Sequence, residues 1–313
     1  MAHPREPPER LDLLPQVGSA VVVKPQLEVL LATWNGAFYL EQQLQSLEQQ
    51  TLRPTRVLIH DDGSSDDTNS ILKRWQQIHP TWIELLPPLQ QRLGPSGAFN
   101  RLLLNSRAPY IALCDQDDIW DPERLEIGLR QLQRAESINN NNLKRPLLLH
   151  SNAHLINSQG QELPQSLWDW HRVNPNNHSL VRLSQRNYIT GCTILCNRSL
   201  LKRALPIPSE AILHDWWLAL VACQQDGLIH CPEKLLKHRR HGKNHSGISN
   251  LQRNNLLSIA RYCLAIQRQW LCLHHRLRIC WPKRITWWPQ LLISGIELYT
   301  NPKAMPNEQK QKD

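Results

Sequence analysis

The run Cys114-Asp115-Gln116-Asp117-Asp118-Ile119-Trp120 crowds three carboxylates directly behind the apolar stretch Tyr110-Ile111-Ala112-Leu113. Acids this close repel one another unless water, a basic partner or a bound cation offsets them. An all-oxygen set at a strand end suits a hard divalent ion, Mg2+ or Mn2+, better than zinc, and such ions keep open positions for substrate phosphates. Taken alone, the same acids are equally suited to the positive end of a helix opened by Asp121-Pro122-Glu123. A second acidic group, Asp61-Asp62, heads the polar run that reaches Thr68, and a single acid, Asp215, stands in the otherwise apolar stretch Leu213 to Ala222.

These acids need elements to hold them. Val29-Leu30-Leu31-Ala32 and Arg56-Val57-Leu58-Ile59-His60 read as strands, with a third expected from Trp82 to Leu86 and a fourth from Tyr110 to Leu113. Between them, Leu40, Leu44 and Leu47 fall at helical spacing, as do Ile71, Trp75 and Ile78, and a further helix is expected from Gly97 to Leu104. Ser65 is the expected N-cap of the second helix, with Asp66 and Asp67 in its first turn. Alternating strands and helices imply a parallel sheet with helices on both faces. Ligands of such sheets bind at the carboxyl ends of the strands, which is where both acidic motifs lie.

Downstream, Pro146 to His150 suggests another strand, and the segment Gln159 to Asn187, with Trp168, Trp170 and His171, reads as a long loop, a lid or an acceptor-binding excursion. Strand character resumes from Tyr188 to Leu195, where Gly191 permits close backbone approach. Leu213 to Ala222 reads as a helix whose first turn carries Asp215.

Composition narrows the class. No run of about 18 apolar residues suggests a transmembrane helix, and the Pro-rich, charged start MAHPREPPER is unlike a signal sequence, so a cytosolic protein is expected. The eight cysteines include no CxxC pair, which favours reduced, buried thiols. Cys231 with His238, His241 and His245 resembles a zinc pattern loosely, but lacks a second cysteine at metal spacing. The net charge of +9 is concentrated at the end: from Lys234 onward the chain carries +12, and before it −3. That basic tail raises a nucleic-acid-binding alternative, yet no RNA- or DNA-binding motif accompanies it, and no nucleic-acid partner is expected.

Five motifs then fall in one order: Ala32-Thr33-Trp34-Asn35-Gly36, His60 to Thr68, Cys114 to Trp120, His214-Asp215-Trp216-Trp217, and His238 to Gly247. The set resembles family 2 glycosyltransferases of the GT-A fold, near the bacterial rhamnosyltransferase-like branch, and covers about residues 28 to 250. The resemblance implies an α/β fold, a Rossmann-like and mostly parallel central sheet flanked by helices. It also implies three regions: a mobile lead-in (1–26), the GT-A domain (27–250) and a basic, Trp-rich helical extension (251–313).

The activity implied is inverting transfer of a rhamnose-like deoxyhexose or a hexose from a nucleotide-diphosphate sugar to a saccharide or lipid-linked acceptor, in cell-surface polysaccharide or O-antigen synthesis. By the same resemblance, Asp61 and Asp62 contact the base and ribose, and Thr33, Asn35, Gly94, Asn100 and His241 complete the donor site. Asp115 and Asp117 hold Mg2+ or Mn2+, Asp115 also facing the donor, while Asp118 orients the site. Asp215 is the general base, and Gly191, Trp216 and Trp217 line the acceptor, the tryptophans raising the Asp215 pKa and stacking on a sugar. Arg239, Arg240, His241 and Lys243 form a basic loop, hinged at Gly242 and Gly247, that closes over the diphosphate.

There are departures. Gly97-Ala98-Phe99-Asn100 lacks a basic residue common in relatives, leaving that base contact to Arg101; His60 and Asn152 replace an apolar residue and an Asp. A sugar-nucleotide pyrophosphorylase is the alternative within enzymes, but it calls for a Gly-rich basic loop after the first strand, and Thr33-Trp34-Asn35-Gly36-Ala37 is not one. In the tail, Arg261, Arg268, Arg276, Arg278, Lys283 and Arg284 interleave with Trp270, Trp281, Trp287 and Trp288. That pattern suits either peripheral contact with an anionic membrane on its inner face or a helical cap on the domain.

Overall fold

The computed structural model describes residues 26–138, 145–174, 179–241 and 256–277. Outside them lie the expected lead-in up to residue 25, Gly242, Lys243, His245 and Gly247 of the basic loop, and Arg278, Trp281, Lys283, Arg284, Trp287 and Trp288 of the tail.

The first half alternates β1 (Leu27–Thr33), α1 (Ala37–Glu48), β2 (Arg56–Asp61), α2 (Thr68–Ile78), β3 (Ile83–Leu85), α3 (Gly94–Asn105) and β4 (Tyr110–Cys114). The second half is more irregular: β5 (Ile119–Trp120), α4 (Arg124–Ser137), β6 (Leu148–Ile156), β7 (Glu162–Ser166), α5 (Leu167–His171), α6 (Leu180–Gln185), a 3-10 turn (Gly191–Thr193) and β8 (Ile194–Asn197). It closes with α7 (Arg198–Ala204), α8 (His214–Cys223), β9 (Leu228–Arg239) and α9 (Leu256–Leu277).

The strands form one sheet in the order β3-β2-β1-β4-β8-β6-β9-β5, with β7 paired to β6. β1 runs parallel to both β2 and β4. The expected parallel alternation holds through β4; β8 then enters antiparallel to both β4 and β6, while β6 and β9 are parallel. Because the chain winds from β1 outward to β3 and returns on the other side of β1 as β4, a crevice opens between the carboxyl ends of β1 and β4. Thr33, Asp61 and Asp115 all arrive at that edge.

β1 is buried on both faces, which suits its unbroken apolar run from Val29 to Ala32. Val29 and Leu31 pack with Leu40, Leu44 and Leu47 of α1, Leu72 and Trp75 of α2, and Leu125, Leu129 and Leu132 of α4. Leu30 faces the opposite layer with Phe99 and Leu102 of α3, Leu200 of α7 and Trp216 to Cys223 of α8.

Several expectations give way to packing. α2 buries Thr68, Leu72 and Trp75, leaving Ile78 62% exposed, and it starts after Asp67 without a side-chain cap. Ser65 instead donates its backbone N–H to Asn35 Oδ1 at 2.8 Å. The segment from 159 to 187 is not one loop: it contains β7, α5 and α6, and α5 opens on a capping box between Ser166 and Asp169. Within Tyr188 to Leu195 only Ile194 and Leu195 are strand, following the 3-10 turn. The described part of the tail is a cap: Ile266, Trp270 and Leu273 of α9 join the core around α8, and Gln269 Oε1 accepts the Ile212 N–H at 2.9 Å. No helix among the described residues is long and apolar enough to cross a membrane.

Candidate functional site

The loop after β1 is tied to everything around it. Thr33 Oγ1 donates to Asp61 Oδ1 at 2.9 Å. Asn35 takes a left-handed conformation, φ 47°, and its N–H meets Ser64 Oγ at 2.8 Å. Gln116 reaches across from the second acidic motif and clamps Trp34 twice, accepting its N–H at 2.7 Å and donating to its carbonyl at 3.0 Å. A Cβ on Gly36 would lie 2.2 Å from Gln116 Oε1, so the clamp requires glycine there. Nothing but position within the acidic motif marked Gln116 in the sequence.

Asp61 accepts additional hydrogen bonds from the N–H and hydroxyl of Ser64, at 2.9 and 2.5 Å. Asp62 is buried and holds the start of α3, accepting Leu93 N–H at 2.7 Å, Gly94 N–H at 2.8 Å and Arg92 Nε at 3.3 Å. Gly94 can do this because its φ is 70°, and Arg92 lies 3.3 Å over the Trp34 ring. Asn100, expected at the donor, is instead a structural tie: its Oδ1 accepts the Ile207 N–H at 2.9 Å, one turn along α3 from Ser96. Arg101 bridges His60 Nδ1 at 3.0 Å and the Pro87 carbonyl at 2.7 Å, where burial and its charge lower the His60 pKa.

The three acids after β4 differ in partners. Asp118 is fully buried; its Oδ1 accepts His238 Nδ1 and the Arg239 N–H, each at 3.0 Å. Burial works against its charge, but the His238 imidazolium and these hydrogen bonds prevail and hold its pKa down. In return, the Asp118 carboxylate overcomes burial at His238 and raises it to about 9. Asp117 Oδ2 contacts His241 Nε2 at 2.8 Å, and its carbonyl accepts Arg239 Nε at 2.8 Å. The Asp115 side chain has no hydrogen bond or ion pair among the described residues, and burial together with the charges of Asp118 and Asp117 raises its pKa well above the carboxylate range. A carboxylate in that condition suits a bound cation, which would relieve both desolvation and repulsion.

The zinc-like pattern around Cys231 does not assemble: Cys231 donates from Sγ to Glu233 Oε2 at 3.0 Å, on the central part of β9. The group at ligand spacing among the described residues is Asp118, Cys192 and His238, whose contacts are those of a buried ion pair beside a thiol.

Asp215 opens α8 and is 8% exposed. Its Oδ1 accepts the Trp216 N–H at 2.6 Å and Asn187 Nδ2 at 3.1 Å. Burial pushes its pKa up to about 7 against the pull of those bonds, leaving a carboxyl that exchanges a proton near neutral pH. A Cβ on Gly191 would stand 3.0 Å from His214 Nε2 and 3.7 Å from Asp215 Oδ2, so glycine keeps the approach to Asp215 open. Trp216 and Trp217 do not line it. They are 1% and 0% exposed, with their indole N–H groups given to the carbonyls of Leu183 and Ala204 at 2.6 and 2.9 Å. Neither ring presents a face to a sugar.

Arg239 is the other residue the motifs underplayed. It is 2% exposed, and besides the Asp117 carbonyl it donates to the carbonyls of Asn157 and Ser158 at 3.3 Å and to Gln42 Oε1 at 2.7 Å. Its role is to fix the end of β9 against the acidic loop, not to close over a ligand.

Comparison with known proteins bears on the family and the fold. Residues 28–203 match the family model described as Glycosyl transferase family 2. The dTDP-rhamnosyl transferase RfbG of Shigella flexneri is 33% identical over 99 residues, 31% of this chain and 34% of that protein. The amylovoran biosynthesis glycosyltransferase AmsE of Erwinia amylovora is 34% identical over 153 residues, 45% of this chain and 53% of that one. The matches thus span about a third to a half of these relatives' lengths. Among solved structures, the mannosyltransferase PcManGT of Pyrobaculum calidifontis, in complex with GDP-Man and Mn2+, superimposes with a TM-score of 0.53 at 16% identity, covering 90% of this chain and 83% of that one. The shared architecture is the GT-A fold, a mixed sheet flanked by helices.

Proposed function

The chain belongs to glycosyl transferase family 2, and from that premise we propose that it moves a sugar from a nucleotide-diphosphate donor to an acceptor hydroxyl with inversion at the anomeric carbon. The observation that carries this reading is the convergence of three acidic groups with different partners on the crevice between β1 and β4. Asp61 and Asp62 are held by hydrogen bonds, Asp115 has none, and Asp215 is tuned by burial to about 7.

Each group then has its work. Thr33, Asn35, Asp61 and Asp62 order the loop that receives the base and ribose, carboxylates being acceptors for N–H and hydroxyl groups. Asp115 and Asp117, with His241 beside Asp117, are the residues that would hold Mg2+ or Mn2+. The ion, when bound, supplies positive charge against the leaving diphosphate. Asp215 takes the proton of the acceptor hydroxyl, whose oxygen forms the new glycosidic bond as the bond to the diphosphate breaks. Gly191 leaves room for that hydroxyl. Arg240, His241 and Lys243 belong to donor closure in this reading, of which Lys243 lies outside the described residues.

The setting is synthesis of a bacterial surface polysaccharide in the cytoplasm or at the inner face of its membrane. dTDP-rhamnose is the first donor to try, since the Shigella relative bears that name, with UDP-hexoses next. A panel of nucleotide-sugars scored by thermal shift with Mn2+ tests the proposal: one donor raises the melting temperature and does so less in EDTA. A panel without any such donor removes the reading.

A further inference from the structure

In the sequence His238 belongs to a loose zinc pattern with Cys231; in the fold its partners come from two other segments. Its Nδ1 lies 3.0 Å from Asp118 Oδ1 and 3.5 Å from Cys192 Sγ. The three ligand atoms stand within 4.8 Å of one another, contributed by the loop before β5, the 3-10 turn before β8 and the end of β9. Asp118 and Cys192 are fully buried, while the His238 side chain is 17% exposed and leaves a way in for an ion.

A thiol, an imidazole and a carboxylate at such distances suit either nucleophilic chemistry or metal binding. In a nucleophilic relay the thiol and the carboxylate sit on opposite nitrogens of the imidazole. Here both meet Nδ1, and burial closes Cys192 to a substrate. Convergence on one point is what a metal needs instead. With Zn–S bonds of about 2.3 Å and Zn–N and Zn–O bonds of about 2.0 to 2.2 Å, the ligand atoms of a tetrahedral site stand about 3.4 to 3.6 Å apart, close to the spacing found. The donor set selects the ion: thiolate and imidazole suit zinc, whereas Mg2+ and Mn2+ suit the all-oxygen pair Asp115 and Asp117.

One ligand oxygen is already in place. Asp118 Oδ1 accepts the Arg239 N–H at 3.0 Å, whereas Oδ2 is buried and makes no hydrogen bond among the described residues. A buried carboxylate oxygen without a partner is costly, and a cation relieves that cost. Charge balances as well. Without an ion the trio is a carboxylate paired with an imidazolium beside a neutral thiol; with Zn2+ it is a carboxylate, a neutral imidazole and a thiolate. One Zn2+ enters as two protons leave, so the buried net charge is unchanged.

We propose that Asp118, Cys192 and His238 bind one Zn2+ through Oδ2, Sγ and Nδ1, with water in the fourth position at the exposed edge of His238. The site is separate from the Asp115 and Asp117 pair and does not depend on the glycosyl-transfer reading. Asp118 follows Asp117, Cys192 follows the Gly191 that keeps the approach to Asp215 open, and His238 lies three residues before His241. A single ion therefore fastens the acidic loop, the approach to Asp215 and the end of β9 to one another.

The test is cobalt substitution in the full chain, stripped with EDTA and then freed of chelator. Co2+ occupies zinc sites and reports thiolate ligation by a sulfur-to-metal charge-transfer absorption. Wild type is expected to develop that absorption up to one equivalent of Co2+ and to lose it on addition of Zn2+ but not of Mg2+, and Zn2+ is expected to raise the melting temperature. Cys192→Ser is expected to abolish the absorption. His238→Gln, at a part-exposed position and so the variant least able to disturb folding, is expected to weaken Zn2+ binding by more than the roughly tenfold to hundredfold that a lost outer partner costs. Asp117→Ala and Cys231→Ser are each expected to keep the absorption, and circular dichroism of the metal-free proteins checks that every variant folds. Absence of a thiolate absorption in wild type, the same absorption in Cys192→Ser, or unchanged Zn2+ affinity in His238→Gln overturns the site. So does loss of the absorption in Asp117→Ala, which would assign the ion to the donor side. Nucleotide-sugar binding in Mn2+, measured on the Cys192→Ser protein, is expected to persist, so failure of the donor reading and failure of the zinc site are told apart.

Discussion

The two sides of the crevice handle charge in opposite ways. On the β2 side, Asp61 and Asp62 spend their oxygens on Thr33, Ser64, Leu93 and Gly94, and the loop they build is set before any ligand arrives. On the β4 and α8 side, Asp115 is half-buried and Asp215 buried, each with its charge poorly compensated, and their pKa values rise. The difference teaches that one half recognises by preformed shape, while the other stores unfavourable electrostatics that a cation or a substrate proton relieves.

The strongest way to break that contrast is Asp215→Asn. Loss of a general base is expected to cost about a hundredfold to ten-thousandfold in turnover with donor affinity retained. The same substitution removes a carboxyl whose pKa is raised on folding. The stability contributed by its neutral form is present in acid and lost as pH rises through about 7. Asp215→Asn is therefore expected to melt above wild type at pH 8, with the difference closing at pH 5; a variant that melts lower at pH 8 would place Asp215 on the well-compensated side. Next in size, Asp117→Ala is expected to abolish Mn2+-dependent donor binding in calorimetry, and unchanged metal dependence would free it from that role.

The preformed side breaks through its clamp. Gly36→Ala drives a Cβ into Gln116 Oε1 and is expected to lower both melting temperature and donor affinity. Gln116→Ala, which removes the clamp without the clash, is expected to raise the donor KM by about tenfold, the scale of two hydrogen bonds, with a smaller change in kcat. Equal loss in kcat would mean that the clamp serves the reacting centre. The smallest effect is expected from Trp217→Phe: loss of the bond to Ala204 costs about 1 kcal/mol of stability, read by denaturant melts, and leaves acceptor KM unaltered because the ring is buried.

Much of the donor side was legible because its determinants are local. Strand ends, Gly36, Asp61-Asp62 and Asp115 to Asp118 stand within short stretches whose apolar-to-polar change marks the sheet edge. Asn100 on α3 is tied to the Ile207 N–H, a partner far along the chain, whereas the tryptophan pair was misplaced for a different reason: α8 is apolar on all sides, so its sequence carries no periodic sign of which face meets solvent. The stacking of Arg240 on Trp170 was illegible because the two residues lie far apart in the chain. The pairing of β6 with β9, which sets Ile156 against Arg239, delivers Arg240 to α5.

The pH dependence of kcat/KM tests the central claim most directly. With donor and Mn2+ supplied, wild type is expected to show a rising limb near pH 7, since only the Asp215 carboxylate accepts the acceptor proton, and the residual activity of Asp215→Asn is expected to lack it. A limb that persists in Asp215→Asn would contradict the account.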